Sequence, residues 1–139
     1  MAGMAVKLTK AFLEAQGVKV LPIGEEEGLL IAGFAMDNRD GIMIIMQFDD
    51  NDRTAKVLTQ NLAKIPESAV DNMYKVVNAI NKKYRWIKFY IDEKDNTITA
   101  SDDVIIQLDS CGEEIFQCCL QLVHIADEAY PEIMKGIYS

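Results

Sequence analysis

Apolar residues recur at intervals of three and four in three stretches of this chain and run almost unbroken in several shorter ones. Leu8, Phe12 and Ala15, with Ala11 beside them, form a helical stripe that Gly17 can stop, predicting a first helix over about residues 5–16. A short extended piece, 18–23, follows. Strands are predicted over 28–36 and 42–48, joined by Asp37-Asn38-Arg39-Asp40-Gly41, the residue types that tight turns use. The polar turn 49–53 leads into a third strand, 54–62. Val70, Met73, Val77, Ile80 and Tyr84 share one face of a long helix over 67–84. Lys82 and Lys83 end that helix with cations suited to the negative end of its dipole. Residues 86–91 and 96–100 read as a hairpin, and 104–108 as a further short strand. Ser110 and Glu113 have capping-box spacing and open the last helix, in which Pro131 marks a break or the first turn of a short terminal helix. With no linker, repeat or low-complexity run, residues 1–139 read as a single α+β domain.

Two elements ask for more cover than a half-solvated element needs. Strand 42–48 carries Ile42, Ile44, Met46 and Phe48 on one face and Met43 and Ile45 on the other, where an antiparallel strand with one wet face would alternate apolar with polar. Strand 28–36 is similar. The last helix lines one face with Ile115, Cys118, Cys119, Leu122 and Ala126 and a neighbouring one with Phe116, Leu120 and Val123. So broad an arc predicts burial on two sides, within the fold or against a second copy. A homodimer is therefore expected. Its interface is either the last helix, through Phe116, Leu120 and Val123, or the sheet, through Met43 and Ile45. The helix is preferred, because its second stripe has no evident partner in the chain.

Composition narrows the partner class. The chain has 139 residues, half of them apolar, with 22 acidic against 14 basic side chains and a net charge of −8. That charge repels nucleic-acid phosphates and an anionic membrane surface alike. No run has the length to span a bilayer. The first sixteen residues read as an amphipathic helix and not as a secretory signal, with Met1-Ala2-Gly3 ahead of Met4 having the form of a cloning remnant. Three clustered cysteines, Cys111, Cys118 and Cys119, suit reduced thiols and a cytoplasmic location better than a disulfide framework.

No catalytic, cofactor or metal constellation is evident. His124 is the only histidine and stands on a helix without a partner at ligand spacing. The acidic clusters 37–40, 49–52 and 92–95 do not follow a calcium-loop register and fall where strands must turn. Lys82-Lys83-Tyr84-Arg85-Trp86 has the look of a single-strand nucleic-acid platform, but a helix end followed by a core tryptophan is the better account in so acidic a chain. Asn78 and Asn81 are expected to be structural, satisfying backbone groups where the helix meets the sheet. Trp86 and Asp127 join them as structural positions.

Asn78-x-x-Asn81-x-x-Tyr84-Arg85-Trp86-x-Lys88-Phe89-Tyr90, together with Asp127-Glu128-Ala129-Tyr130-Pro131 after an apolar helix, resembles the YbjN family of bacterial proteins. The match is strongest over 65–133. That family is grouped structurally with the type III secretion chaperones. The resemblance implies an α-β-β-β-α-β-β-α order, with helices packed on an antiparallel sheet and small acidic homodimers that hold extended segments of client proteins. It offers no catalytic residue. The expected function is a non-enzymatic chaperone-like or adaptor protein with a protein or peptide client. The alternative is a regulatory or scaffold dimer in bacterial stress or signalling, acting through a folded partner.

Overall fold

The computed structural model describes residues 3–139, so the reading of Met1-Ala2 lies outside the described residues. Its helices are α1 (Met4–Ala15), α2 (Val70–Lys83) and α3 (Cys111–Tyr138). Its strands are β1 (Leu29–Phe34), β2 (Ile42–Phe48), β3 (Thr54–Thr59), β4 (Lys88–Asp92) and β5 (Thr97–Ile105). The order is α-β-β-β-α-β-β-α, as the resemblance implies. All five strands form one antiparallel sheet in the order β1-β2-β3-β5-β4.

Register decides which side chains meet the helices. Leu30 and Ala32 of β1 lie opposite Met46 and Ile44 of β2; Met46 aligns in turn with Val57 of β3, and Thr59 of β3 aligns with Ala100 of β5 and so with Phe89 of β4. These side chains are all buried, against Leu13 of α1, Met73, Val77 and Ile80 of α2, and Ile115, Cys119, Leu122, Ala126 and Ile133 of α3. Where α1 crosses α3 the approach is close enough to require glycine: a Cβ on Gly112 would lie 2.5 Å from that of Phe12. The helices cover one sheet face only. On the other face Met43 is 46% exposed and Ile45 half-buried, so the two-sided strands keep an open side among the described residues.

The structure departs from the sequence reading at several boundaries. The separate strand over 104–108 does not form. β5 continues from Thr97 to Ile105, because Ser101, Asp102 and Asp103, polar enough to suggest a turn, pair with Leu58, Val57 and Lys56 of β3. β3 ends at Thr59, and Asn61, at φ +53°, redirects the chain before Leu62 and Ala63 resume hydrogen bonding to Ile98. The capping box at Ser110 is absent. Glu114, one residue beyond the predicted position, accepts the Gln107 N–H at 2.9 Å instead.

Nor does Pro131 break the last helix, which runs unbroken for 28 residues. Proline has no N–H to give the carbonyl four residues back, here that of Asp127. The Asn38 side chain fills the vacancy, its Nδ2 donating to the Asp127 carbonyl at 3.0 Å. The Asp127 carboxylate reciprocates by accepting the Asp37 N–H at 3.1 Å and the Asn38 N–H at 2.8 Å. The β1–β2 turn and the proline of α3 thus satisfy one another's orphan groups. Arg39 carries the same turn onward, donating to the carbonyls of Leu62 and Asn61 at the end of β3.

Candidate functional site

The site is built where α2 hands the chain to β4. Asn81, in the last turn of α2, holds the strand start with both ends of its amide. Its Nδ2 donates to the Phe89 carbonyl at 2.9 Å and its Oδ1 accepts the Phe89 N–H at 2.8 Å. Lys88 Nζ donates back to the carbonyls of Asn81 and Tyr84 at 2.9 and 3.0 Å, closing the helix end. Between these anchors the Ile87 N–H donates to the Arg85 carbonyl at 2.7 Å, with Trp86 at φ +71°. That is a γ-turn of the rare positive-φ kind, a strained conformation for a bulky residue.

The turn corrects the expectation of a core tryptophan. Trp86 is 62% exposed, because positive φ throws the indole outward while its neighbour Ile87 takes the buried position. It also sets where β4 begins. Lys88 lies opposite Ser101, and β5 runs on to Ile105 with β3 on one side and, among the described residues, no strand on the other.

A groove of about 690 Å³ follows this unpaired stretch, between β5 and the first half of α3. Trp86, Val104, Ile105 and Leu120 supply its apolar surface, and Asp102, Asp103 and Glu114 its charge. Ile105 is 82% and Leu120 42% exposed. On the other side of Trp86 a smaller hollow of about 370 Å³ is lined by Lys82, Arg85 and Lys88, so the indole divides an acidic groove from a basic one.

The titratable groups of the groove do not make a nucleophile. Cys118 Sγ donates to Asp102 Oδ2 at 3.3 Å. Burial, helped by the Asp102 charge, pushes its thiol well above the ordinary value, and burial pushes Cys119 up to about 12. Asp102 is raised too, by burial first, with the Cys118 hydrogen bond opposing. A thiol held protonated attacks poorly. His124 is exposed and 3.3 Å from Glu128 one turn on. Among the described residues no group of His, Cys, Asp and Glu could hold a metal ion, and no helix is long and apolar enough to cross a membrane.

The predicted interface residues do not gather in one place. Phe116 is half-buried against Phe12 of α1, with ring centroids 6.0 Å apart, so the second stripe of the last helix does have a partner within the chain. Val123 is half-buried, and of the three only Leu120 stays mostly exposed, on the groove. Met43 and Ile45 lie on the open face of the sheet. Asn78 is exposed on α2 and makes no side-chain hydrogen bond among the described residues, unlike Asn81. Sequence reasoning missed Ile105 and the open edge of β5. The apolar run Val104-Ile105-Ile106 after two aspartates was their signal, but which side of β5 lacks a neighbour depends on where β4 starts.

Comparison with known proteins adds the relationship. No curated protein matches the chain. In the crystal structure of YbjN, a putative transcription regulator from Escherichia coli, the fold is similar at a TM-score of 0.65, with 18% identity over 91% of each chain. An uncharacterized protein from Methanothermobacter thermautotrophicus matches at a TM-score of 0.47, with 17% identity, over 89% of this chain and 97% of that one. The HopA1–SchA chaperone–effector complex matches at 0.46, with 11% identity, over 91% of this chain and 98% of that one. The model of the YbjN family, described as "Putative bacterial sensory transduction regulator", matches residues 9–133, and the chain belongs to that family.

Proposed function

We propose that this protein is a non-enzymatic, chaperone-like regulator that holds an apolar or extended segment of a partner protein. The observation that carries the reading is the groove beside β5, where Trp86, Ile105 and Leu120 stand exposed around one concave surface. Large apolar side chains gathered in this way mark interaction surfaces more often than chance exposure does. The family description, a sensory transduction regulator, supports a regulatory setting. With a net charge of −8, regulation runs through protein contacts in the cytoplasm and not through nucleic acid or membrane.

The protein acts as a homodimer in this proposal, with the sheet as the proposed face in place of the last helix. Phe12 already covers Phe116, whereas half-buried Ile31 and Ile45 pair across the open face, between buried Leu58 and exposed Met43. Acidic residues are absent from that part of β1, β2 and β3, so two acidic copies can meet there without like-charge repulsion. The test is selection of displayed unstructured peptides on the immobilised protein. Enrichment on wild type that is lost on Leu120→Glu supports segment capture. Equal enrichment on both, or none, contradicts it.

A further inference from the structure

We infer that the open edge of β5 receives its occupant as an added strand, and that this occupant is an extended segment of apolar and basic residues. The inference rests on the segment-binding reading and specifies how and what the groove binds. The Ile106 N–H donates to the Arg53 carbonyl at 2.8 Å, on the β3 side. Backbone groups alternate sides along an antiparallel strand. Asp103 and Ile105 therefore aim their N–H and C=O groups away from β3, at the position β4 vacates when the chain turns at Trp86. Those four groups, of which the Asp103 N–H also meets the Asp102 carboxylate, form a template for a further strand, the mode by which sheet edges take up peptides.

Charge chooses the occupant. The stretch carries Asp102 and Asp103, with Glu114 across the groove, and Asp103 meets Lys56 only at 3.9 Å. A second copy paired through the same edge would bring aspartates against aspartates, which disfavours self-pairing. Basic side chains alternating with apolar ones would instead meet carboxylates and the Trp86, Ile105 and Leu120 surfaces together. The γ-turn fits this use, because it redirects the chain ahead of Lys88, where pairing with β5 begins, and so leaves Asp103 and Ile105 beyond the reach of β4.

The probes are three fluorescent peptides of about eight residues, enough to cover the free edge. One alternates Val with Lys, one alternates Val with Glu, and one is the Val/Lys peptide with alternate backbone nitrogens methylated so that it cannot pair. The first should bind, the other two at least about tenfold more weakly, and only the first should slow amide exchange at Asp103 and Ile105. Ile105→Pro removes one edge N–H while leaving the β3 side intact, and should abolish binding; Ile105→Thr, which keeps that N–H, should retain most of it. Equal binding of the methylated peptide, or protection appearing at Met43 and Ile45 instead, overturns strand addition while leaving segment capture standing. Protection of Asp103 and Ile105 that grows with protein concentration alone makes a second copy the occupant and overturns the inference. Failure of these peptides and of every displayed one removes the broader reading as well.

Discussion

At the scale of residues, two asparagines of one motif part company. Asn81 ties the end of α2 to the Phe89 backbone through two hydrogen bonds, so Asn81→Ala strands a part-buried donor and acceptor and should lower stability by about 1–2 kcal/mol in urea denaturation. Asn78 is exposed, and Asn78→Ala should stay within about 0.5 kcal/mol of wild type. A helical repeat of three places both on the motif, but only the register of β4 against α2 tells which one reaches the strand. The cysteines give a pH prediction of definite sign. Cys119 titrates at about 12 when folded, above its ordinary 9.0, so the unfolded chain loses that proton first. Its contribution is complete below pH 9.0 and disappears as pH rises toward about 12. Thermal midpoints should fall across that window, and less steeply in Cys119→Ala. Identical slopes would mean that this thiol ionises as readily folded as unfolded.

At the scale of elements, the unbroken α3 is the instructive case. A proline within a helical pattern predicts a break or the first turn of a new helix, as it would in an isolated segment. What keeps the helix whole comes from far away in the sequence: Asn38 replaces the missing donor at the Asp127 carbonyl. Asn38→Ala should therefore destabilise by about 1 kcal/mol, and should cost less in a Pro131→Ala background, where the helix supplies its own N–H. A double-mutant cycle in denaturant measures that coupling; simple additivity would show that Asn38 supports only the turn. Element order and type were legible because periodicities of two and 3.6 are local properties. The γ-turn at Trp86 was not, because Arg85-Trp86-Ile87 contains none of the residues that favour positive φ. Hydrophobicity alone assigns a tryptophan to the core.

For the whole molecule, the pattern of apolar faces predicted an excess of apolar surface without saying where it lies. The one-sided packing of helices on the sheet distributes it between an open face at Met43 and Ile45 and the groove at Trp86, Ile105 and Leu120. These two surfaces are separable by mutation. Sedimentation equilibrium at micromolar concentration should show a dimer for wild type and Leu120→Glu and a monomer for Ile45→Glu. A dimeric Ile45→Glu would move the interface off the sheet. The groove contains the only tryptophan in the chain, so segment capture can be read without a label. The most direct test is titration of the protein with a peptide enriched on it by display, following Trp86 emission. The account predicts a saturable blue shift and protection from acrylamide quenching, both lost in Leu120→Glu. A peptide that binds by calorimetry yet leaves Trp86 emission and quenching unchanged would contradict it.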